Sequence, residues 1–267
     1  CIRDRNLSLP FVGEIPLKTD AGKNKSTHTN KSIVIKQGSR DIINEAFRVL
    51  RTNLEFMLDA KIENKASVTL FTSFNPGSGK SFLTMNTAAT FAMKGKRILV
   101  IDGDLRRGSA SAYLGSQHKG LSDYLGKRES CLDALVQENP DIPGFFLLPA
   151  GTIPPNPTEL LAEPLFKETI EQLRGHYDYI LIDCPPIDIV ADTQIIEKLA
   201  DRTVFVVRAG LLERDMLSEL QRMYDEKRFK NMALLLNGTE GGGNRYGYRY
   251  GYKYGYKYGY GSKNYYK

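Results

Sequence analysis

The segment "SFNPGSGKS" occupies residues 73–81, between an apolar run (67–73) and a stretch with helical character (80–94). Gly77 and Gly79 allow the backbone to curl so that its N–H groups converge, and the helix N-terminus adds the positive end of its dipole. Lys80 can reach the β- and γ-phosphates of a nucleotide, and Ser81 can offer its hydroxyl to Mg²⁺. The segment predicts a phosphate-binding loop, although Phe74 stands where the general pattern G-x-x-x-x-G-K-[ST] has glycine.

Outward from this loop, short apolar runs alternate with helix-like stretches. The further runs cover residues 97–102, 144–149, 177–183, 202–207 and 232–237. The helix-like stretches cover 41–60, 80–94, 121–137, 157–175, 191–200 and 212–228. Near-continuous apolar strands that alternate with helices are typical of a mostly parallel sheet covered on both faces. The sequence therefore predicts a doubly wound α/β domain of the P-loop type.

Composition divides the chain of 267 residues into three parts: an N-terminal arm and polar linker (1–38), the α/β domain (39–240) and a tyrosine-rich tail (241–267). The tail holds ten of the fifteen tyrosines, six basic residues and no acidic residue. Because the net charge is +6, the rest of the chain is neutral. With frequent glycine and no aliphatic anchor, the tail is expected to be mobile.

Other classes of site have little support. The three cysteines show no paired spacing, which favours a reducing compartment. The three histidines are scattered and do not indicate a zinc site. No apolar run approaches the roughly 18 residues of a membrane span.

Two apolar runs end in carboxylates. "RILVIDGDLRRG" (97–108) carries Asp102 and Asp104, and "YDYILIDCPP" (177–186) carries Asp183. Ligands of open parallel sheets bind at the carboxyl ends of the strands, where carboxylates can hold Mg²⁺ or accept a proton. Taken alone, the Asp102–Asp104 segment is equally an ordinary strand-to-loop turn, and Asp183 alone is better explained as one more aspartate at a strand end. Beside a phosphate-binding loop, the functional interpretation is favoured.

Together these segments resemble the bacterial tyrosine kinases, P-loop proteins related to the partition and septum-placement ATPases with a deviant Walker A motif. Six elements carry the resemblance. Three lie at the predicted site: Pro76-Gly77 with Gly79-Lys80-Ser81, the D-x-D-x-R pattern of Asp102, Asp104 and Arg106, and the Walker B aspartate Asp183. The others are the E-x-x-R-x-x-R helix of Glu45, Arg48 and Arg51, the segment "GTIPPNPTELL" (151–161) and the tyrosine-rich C-terminus. The related ATPases usually carry a signature lysine where this chain has Asn75, which argues against that subgroup.

The resemblance implies a protein-tyrosine kinase that uses ATP and Mg²⁺. It assigns Lys80, Asp102 and Asp104 to catalysis, with Asp102 as the candidate base, although the division of roles between the two aspartates stays open. Ser81, Asp104 and Asp183 are expected to hold Mg²⁺. The nucleotide is expected to contact Pro76, Gly77, Ser78, Gly79, Lys80, Ser81, Phe82 and Asn237. For Asn237, contact with adenine and an ordinary place at a strand end are equally favoured.

The resemblance also gives the tail a role. Its tyrosines are the expected phosphoacceptors: Tyr246, Tyr248, Tyr250, Tyr252, Tyr254, Tyr256, Tyr258, Tyr260, Tyr265 and Tyr266. Transfer is expected between subunits of a homo-oligomer, a ring by resemblance, with Glu45, Arg48 and Arg51 at its contacts. A tyrosine phosphatase and the polysaccharide export machinery are the expected partners, and the cytoplasmic side of the inner membrane is the expected location.

Two other interpretations compete. A P-loop ATPase could bind nucleic acid by stacking bases on the basic aromatic tail, but the absent signature lysine argues against it and no nucleic acid is expected. A catalytically idle scaffold could use the loop only for assembly, but Lys80, Ser81 and the three aspartates are all intact.

Overall fold

The structure of the chain, a computed structural model, describes residues 7–17, 32–57, 65–114, 119–187 and 191–240. Within these ranges, no helix combines the length and apolarity that a membrane crossing requires. The tail, with all ten expected phosphoacceptor tyrosines, lies outside the described residues, as does most of the polar linker.

One eight-stranded sheet organises the domain. Its strands are β1 (Phe11–Pro16), β2 (Ser67–Thr72), β3 (Ile98–Asp102), β4 (Gln137–Glu138), β5 (Phe145–Leu148), β6 (Tyr179–Asp183), β7 (Arg202–Arg208) and β8 (Met232–Thr239). The order is β1-β8-β7-β2-β6-β3-β5-β4, and every pairing is parallel except that of β4 with β5. The carboxyl ends of the seven parallel strands therefore share one edge.

Helices cover both faces of this sheet. They are α1 (Ile42–Met57), α2 (Lys80–Ala92), α3 (Leu121–Leu125), α4 (Pro157–Ala162), α5 (Pro164–Arg174), α6 (Asp192–Glu197) and α7 (Met216–Asp225). Side chains from α1 and α2 pack in a cluster with Phe71 of β2, whereas α4, α5 and α6 pack in a second cluster with the preceding residue, Leu70. Because successive strand residues point to opposite faces, this division confirms the doubly wound architecture.

The six predicted strands are confirmed to within about two residues, but two helix predictions are corrected. A helix over 121–137 is wrong: α3 stops at Leu125, and Lys127 adopts φ +57°, a left-handed conformation that cannot continue a helix. A 3-10 turn (Asp133–Leu135) and β4 follow. The stretch 157–175 is two helices, because Pro164 lacks an N–H and Glu163 before it is extended. The first helix is confirmed over Ile42–Met57, and its expected last turn lies outside the described residues.

Strand β1 is absent from the sequence-based prediction, which treated residues 1–38 as an arm and linker. It pairs with β8 alone, and Val12 and Ile15 are each 1% exposed. Pro10 and Pro16 obscured the strand, yet both are compatible with an edge, where proline costs no ladder hydrogen bond on the open side. Part of the predicted arm therefore completes the sheet. The boundary at residue 38 stays a prediction.

Candidate active site

The loop between β2 and α2 is shaped to receive phosphate. Gly77 and Gly79 have φ of +74° and +91°, and a Cβ on Gly79 would lie 2.2 Å from Asn237 Nδ2, so only glycine fits there. Among the described residues, no acceptor takes the N–H of Ser78 or Gly79. The first N–H groups of α2 add the orphan donors that every helix start presents. Converging unpaired N–H groups at a helix start bind phosphate.

Phe74 explains how the loop tolerates the missing glycine. Its ring is 2% exposed and packs edge-on against Phe205, with ring centroids 4.8 Å apart. The side chain points into the core below the loop and leaves the phosphate face clear. Phe74 therefore anchors the loop.

Lys80, the first residue of α2, is 9% exposed, and its Nζ lies 3.1 Å from Ser73 Oγ. Burial lowers the pKa of its ammonium, while the charges of Asp183 and Asp104 act to raise it. Among the described residues, no carboxylate forms a salt bridge with the Lys80 ammonium group. Its contact with phosphate oxygens stays a prediction.

The carboxylates meet because β3 and β6 are neighbours. Asp102 and Asp183 occupy the same register position at the carboxyl ends of these strands, and Gly103 N donates to Asp183 O at 2.8 Å. Asp104, two residues beyond β3, is 6% exposed and accepts N–H groups from Arg106 and Arg107. The structure thus brings the three predicted aspartates to one edge of the sheet, as their positions at strand ends indicate.

The surroundings of Asp102 and Asp183 differ. Asp102 Oδ2 accepts hydrogen bonds from Ser111 N at 2.6 Å and Ser111 Oγ at 2.7 Å. Burial raises the pKa of Asp102 to about 6, against the lowering effect of these bonds. Among the described residues, the Asp183 carboxylate accepts a hydrogen bond from the Ser81 hydroxyl alone, and burial followed by the charge of Asp102 raises its pKa to about 8.

The donor set fits Mg²⁺. Ser81 Oγ donates to Asp183 Oδ2, so hydroxyl and carboxylate already adjoin, and Asp183 Oδ1 is buried with no hydrogen-bond partner among the described residues. A cation beside Asp183 would offset both the unpaired oxygen and the cost of burying negative charge. No three His, Cys, Asp or Glu side chains in the described ranges form a metal-binding group. Mg²⁺ in phosphate-binding sites usually keeps several waters and takes substrate phosphates as further ligands.

Two residues expected at the nucleotide already have other contacts. Asn237 Nδ2 donates to Ser78 O at 2.8 Å, so this amide holds the loop. The Phe82 ring packs edge-on against Phe47 of α1 with centroids 5.9 Å apart, so its main chain is the part that borders the loop. Contact of either residue with the nucleotide stays a prediction.

The three charged residues of α1 differ in their contacts. Arg48 is paired with Glu45 and also donates to Ser39 O. Arg51 Nη1 donates to Thr90 O of α2 at 3.0 Å, and Arg48 and Arg51 line one pocket beside Thr90. The role of the three residues at subunit contacts stays a prediction.

Three polar contacts of the site were not predicted. Ser111 lies nine positions after Asp102, with no pattern to mark it. Arg106 reaches the fully buried Asp192 at 3.0 Å, a separation of 86 residues that no local pattern reveals. Arg208 donates to Gly77 O at 2.7 Å. The sequence could have identified this residue, because it is a cation at the carboxyl end of an apolar run.

Comparisons with known proteins agree with this geometry. A family model described as an AAA domain matches residues 67–225, more than half of the chain. The tyrosine-protein kinase YwqD of Bacillus subtilis is 32% identical over 82% of this chain and 90% of its own length. The tyrosine-protein kinase etk of Escherichia coli is 31% identical over 83% of this chain, but this chain spans only 30% of its length.

Solved structures agree in the same way. The BceF tyrosine kinase domain superposes with a TM-score of 0.75 and 34% identity, covering 88% of this chain and 96% of that domain. The septum site-determining protein MinD of Pyrococcus horikoshii, complexed with Mg-ADP, has a TM-score of 0.51 and 23% identity, covering 63% of this chain and 68% of its own. MinD shares the fold.

Proposed function

This chain belongs to the bacterial tyrosine-protein kinases, and on that premise we propose that it uses ATP and Mg²⁺ to phosphorylate the tyrosines of its own tail, between subunits. One observation carries the proposal. The loop's unpaired N–H groups, Lys80, the Ser81–Asp183 pair and the Asp102–Asp104 segment all lie at one edge of the sheet.

Phosphoryl transfer needs positioning and charge neutralisation more than covalent participation by the protein. The N–H groups of Ser78 and Gly79 bind the phosphate chain, and Lys80 neutralises oxygens of the β- and γ-phosphates. Ser81 and Asp183, with Asp104, hold Mg²⁺, which when bound supplies further positive charge to the phosphates. Buried carboxylates without such cations would repel ATP, so the cations and the aspartates act together.

Asp102 is proposed as the base for the incoming tyrosine. The tyrosine oxygen forms a bond to the γ-phosphorus, the bond from that phosphorus to the β-phosphate oxygen breaks, ADP leaves, and the phenolic proton passes to a carboxylate. A free phenol has a pKa near 10, so a base assists. Burial raises the pKa of Asp102 to about 6, close to the working range of a general base at neutral pH.

Assembly is proposed to use the outer side of α1. Ile42, Val49 and Phe56 are 59%, 44% and 71% exposed, and they recur every seven residues, so they form one stripe along the helix. Glu45 and Arg48 flank this stripe. An exposed apolar stripe with a charged border supports a contact between subunits.

The cellular role is proposed from the relatives. Tail phosphorylation would regulate exopolysaccharide or capsule synthesis and export, opposed by a tyrosine phosphatase, at the cytoplasmic side of the inner membrane. Each phosphate adds a charge of about −1.5 to −2, so three or four would cancel the six basic charges of the tail.

The test mixes two full-length chains. One is active but has its ten tail tyrosines replaced by phenylalanine; the other carries Lys80→Met and an unchanged tail. With ATP and Mg²⁺, mass spectrometry should find phosphate on the Lys80→Met chain only in the mixture. A third chain, which carries Lys80→Met and the ten tail phenylalanines, should stay unlabelled when it is mixed with the active chain. Labelling of that third chain would show that the tail is not the acceptor, and an unlabelled mixture would exclude transfer between subunits.

A further inference from the structure

Arg208 and Asn237 hold two consecutive carbonyl groups of the phosphate-binding loop. Arg208 Nη1 donates to Gly77 O at 2.7 Å, and Asn237 Nδ2 donates to Ser78 O at 2.8 Å. The two residues are register partners in the parallel pair of β7 and β8, and Ala209 N donates to Asn237 O at 2.8 Å. The two donors are therefore fixed relative to each other by the sheet.

These two hydrogen bonds also fix the directions in which the Ser78 and Gly79 N–H groups point. In a trans peptide the C=O of one residue and the N–H of the next lie in one plane and point in opposite directions. A donor that holds Gly77 O on the sheet side turns the Ser78 N–H away from the sheet, and a donor on Ser78 O does the same for Gly79. Neither of these N–H groups has an acceptor among the described residues.

The surroundings leave room for this arrangement. Gly238 has φ +71°, and a Cβ placed on it would lie 3.7 Å from Arg208 Cγ and 3.8 Å from Leu17 Cδ1. The stem of Arg208 thus passes over a residue without a side chain on its way to the loop. At Gly79 the absence of a side chain is required, because a Cβ there would lie 2.2 Å from Asn237 Nδ2.

We infer that Arg208 is a positioning residue for the kinase reaction: with Asn237 it pre-orients the Ser78 and Gly79 N–H groups toward the phosphates before nucleotide binds. Without the donor from Arg208, the glycine-flanked peptide at Gly77 is free to rotate, and binding must then include the cost of ordering it. Loss of the Arg208 donor should weaken binding of the phosphates and leave binding of adenosine unchanged. The inference rests on the proposed use of ATP by this loop.

Three variants test it in the full chain. Arg208→Met removes the donor with similar bulk, Arg208→Lys keeps a donor, and Arg222→Met is the matched control, because Arg222 is an exposed arginine that bonds to Glu219 on its own helix. Arg208→Met should bind ADP about tenfold more weakly, with adenosine affinity unchanged. The KM for ATP should rise by a similar factor at nearly constant kcat, and Arg208→Lys should recover part of the loss.

A measurement without nucleotide separates positioning from direct contact with phosphate. In Arg208→Met without nucleotide, the amide NMR signals of Ser78 and Gly79 should move, because their peptide planes lose a fixed orientation. Unchanged signals in the free protein, or ADP affinity equal to that of the control, would overturn the inference. Failure of the proposed function is distinct: in that case the unaltered chain itself would not bind ADP, and Lys80→Met would change nothing.

Discussion

Asp102 and Asp183 occupy the same register position on adjacent parallel strands, so the carboxylate proposed as the base and the carboxylate proposed for Mg²⁺ are placed by one hydrogen-bonded ladder. The sheet places both groups at once, and neither depends on a loop for its position. Their neighbours then distinguish them, because Ser111 donates twice to Asp102, whereas Asp183 keeps one oxygen without a partner among the described residues.

Replacement of Lys80 should abolish the chemistry and spare the fold. Lys80→Met should reduce tail labelling in ATP and Mg²⁺ to background, because no other ammonium group is held at the phosphate end of α2 in the described residues. Lys94→Met is the matched control: Lys94 follows the same helix, is about half exposed and pairs with Glu55. Circular dichroism should show both variants folded. Labelling by Lys80→Met at the control's rate would contradict the loop's role.

Stability of the nucleotide-free protein should fall as pH rises. The pKa of Asp183 is about 8 in the folded state and about 4 when unfolded, so the folded state binds the extra proton between these values. The stabilisation from this proton is fully present below about pH 4 and is lost as the pH rises through 8. Between these values the free energy of unfolding falls by at most about 1.4 kcal/mol per pH unit. Urea unfolding without Mg²⁺ should show this decline, and Asp183→Asn should flatten it. An equal slope in both proteins would be evidence against a raised pKa.

The acid limb of the pH–rate profile should depend on Ser111. The Ser111 hydroxyl lowers the pKa of Asp102, so Ser111→Ala should raise that pKa. Because a base must be deprotonated, the acid limb of kcat/KM should move to higher pH, by about one unit. Thr169→Ala, which removes a buried hydroxyl on α5, should leave the limb in place. If Ser111→Ala also leaves it, Asp102 is not the base.

Arg51 and Phe56 should separate stability from assembly. Arg51→Ala removes a bond from α1 to Thr90 O of α2, so we expect a loss of about 1 kcal/mol, or about 2–4 °C in Tm. Phe56→Ser changes an exposed side chain and should leave the Tm of the monomer nearly unchanged while weakening assembly. Light scattering over a concentration series measures the second effect. Full assembly by Phe56→Ser would place the subunit contact elsewhere.

Local patterns were enough for six of the eight strands described and for the aspartates at the carboxyl edge of the sheet. An apolar run ending in Asp183 identifies both a buried strand and a carboxylate at the binding edge, because a parallel sheet exposes its strand ends together. The same reasoning placed Lys80, since a loop, a lysine and a helix start adjoin in sequence. These predictions needed no knowledge of distant contacts.

What local patterns missed depends on contacts between distant segments. Arg106 meets Asp192 across 86 residues, and Arg208 meets Gly77 across 131. Arg51 has the spacing of a surface cluster, and only the packing of α1 on α2 turns it toward Thr90. Strand β1 was hidden for a related reason, because its prolines are acceptable only at an edge beside β8.

Strand β8 ends at Thr239, two residues past Asn237, so the tail is tethered at the same edge that receives phosphate. Chain length alone keeps Tyr246 within about 25 Å of that strand end and Tyr266 within about 95 Å. If the domains assemble as proposed, a tether of this length holds the tail tyrosines at an effective concentration on the order of 1 mM around them. Phosphorylation of this tail would then need no tight peptide groove, and a free tyrosine peptide would compete only at similar millimolar concentrations.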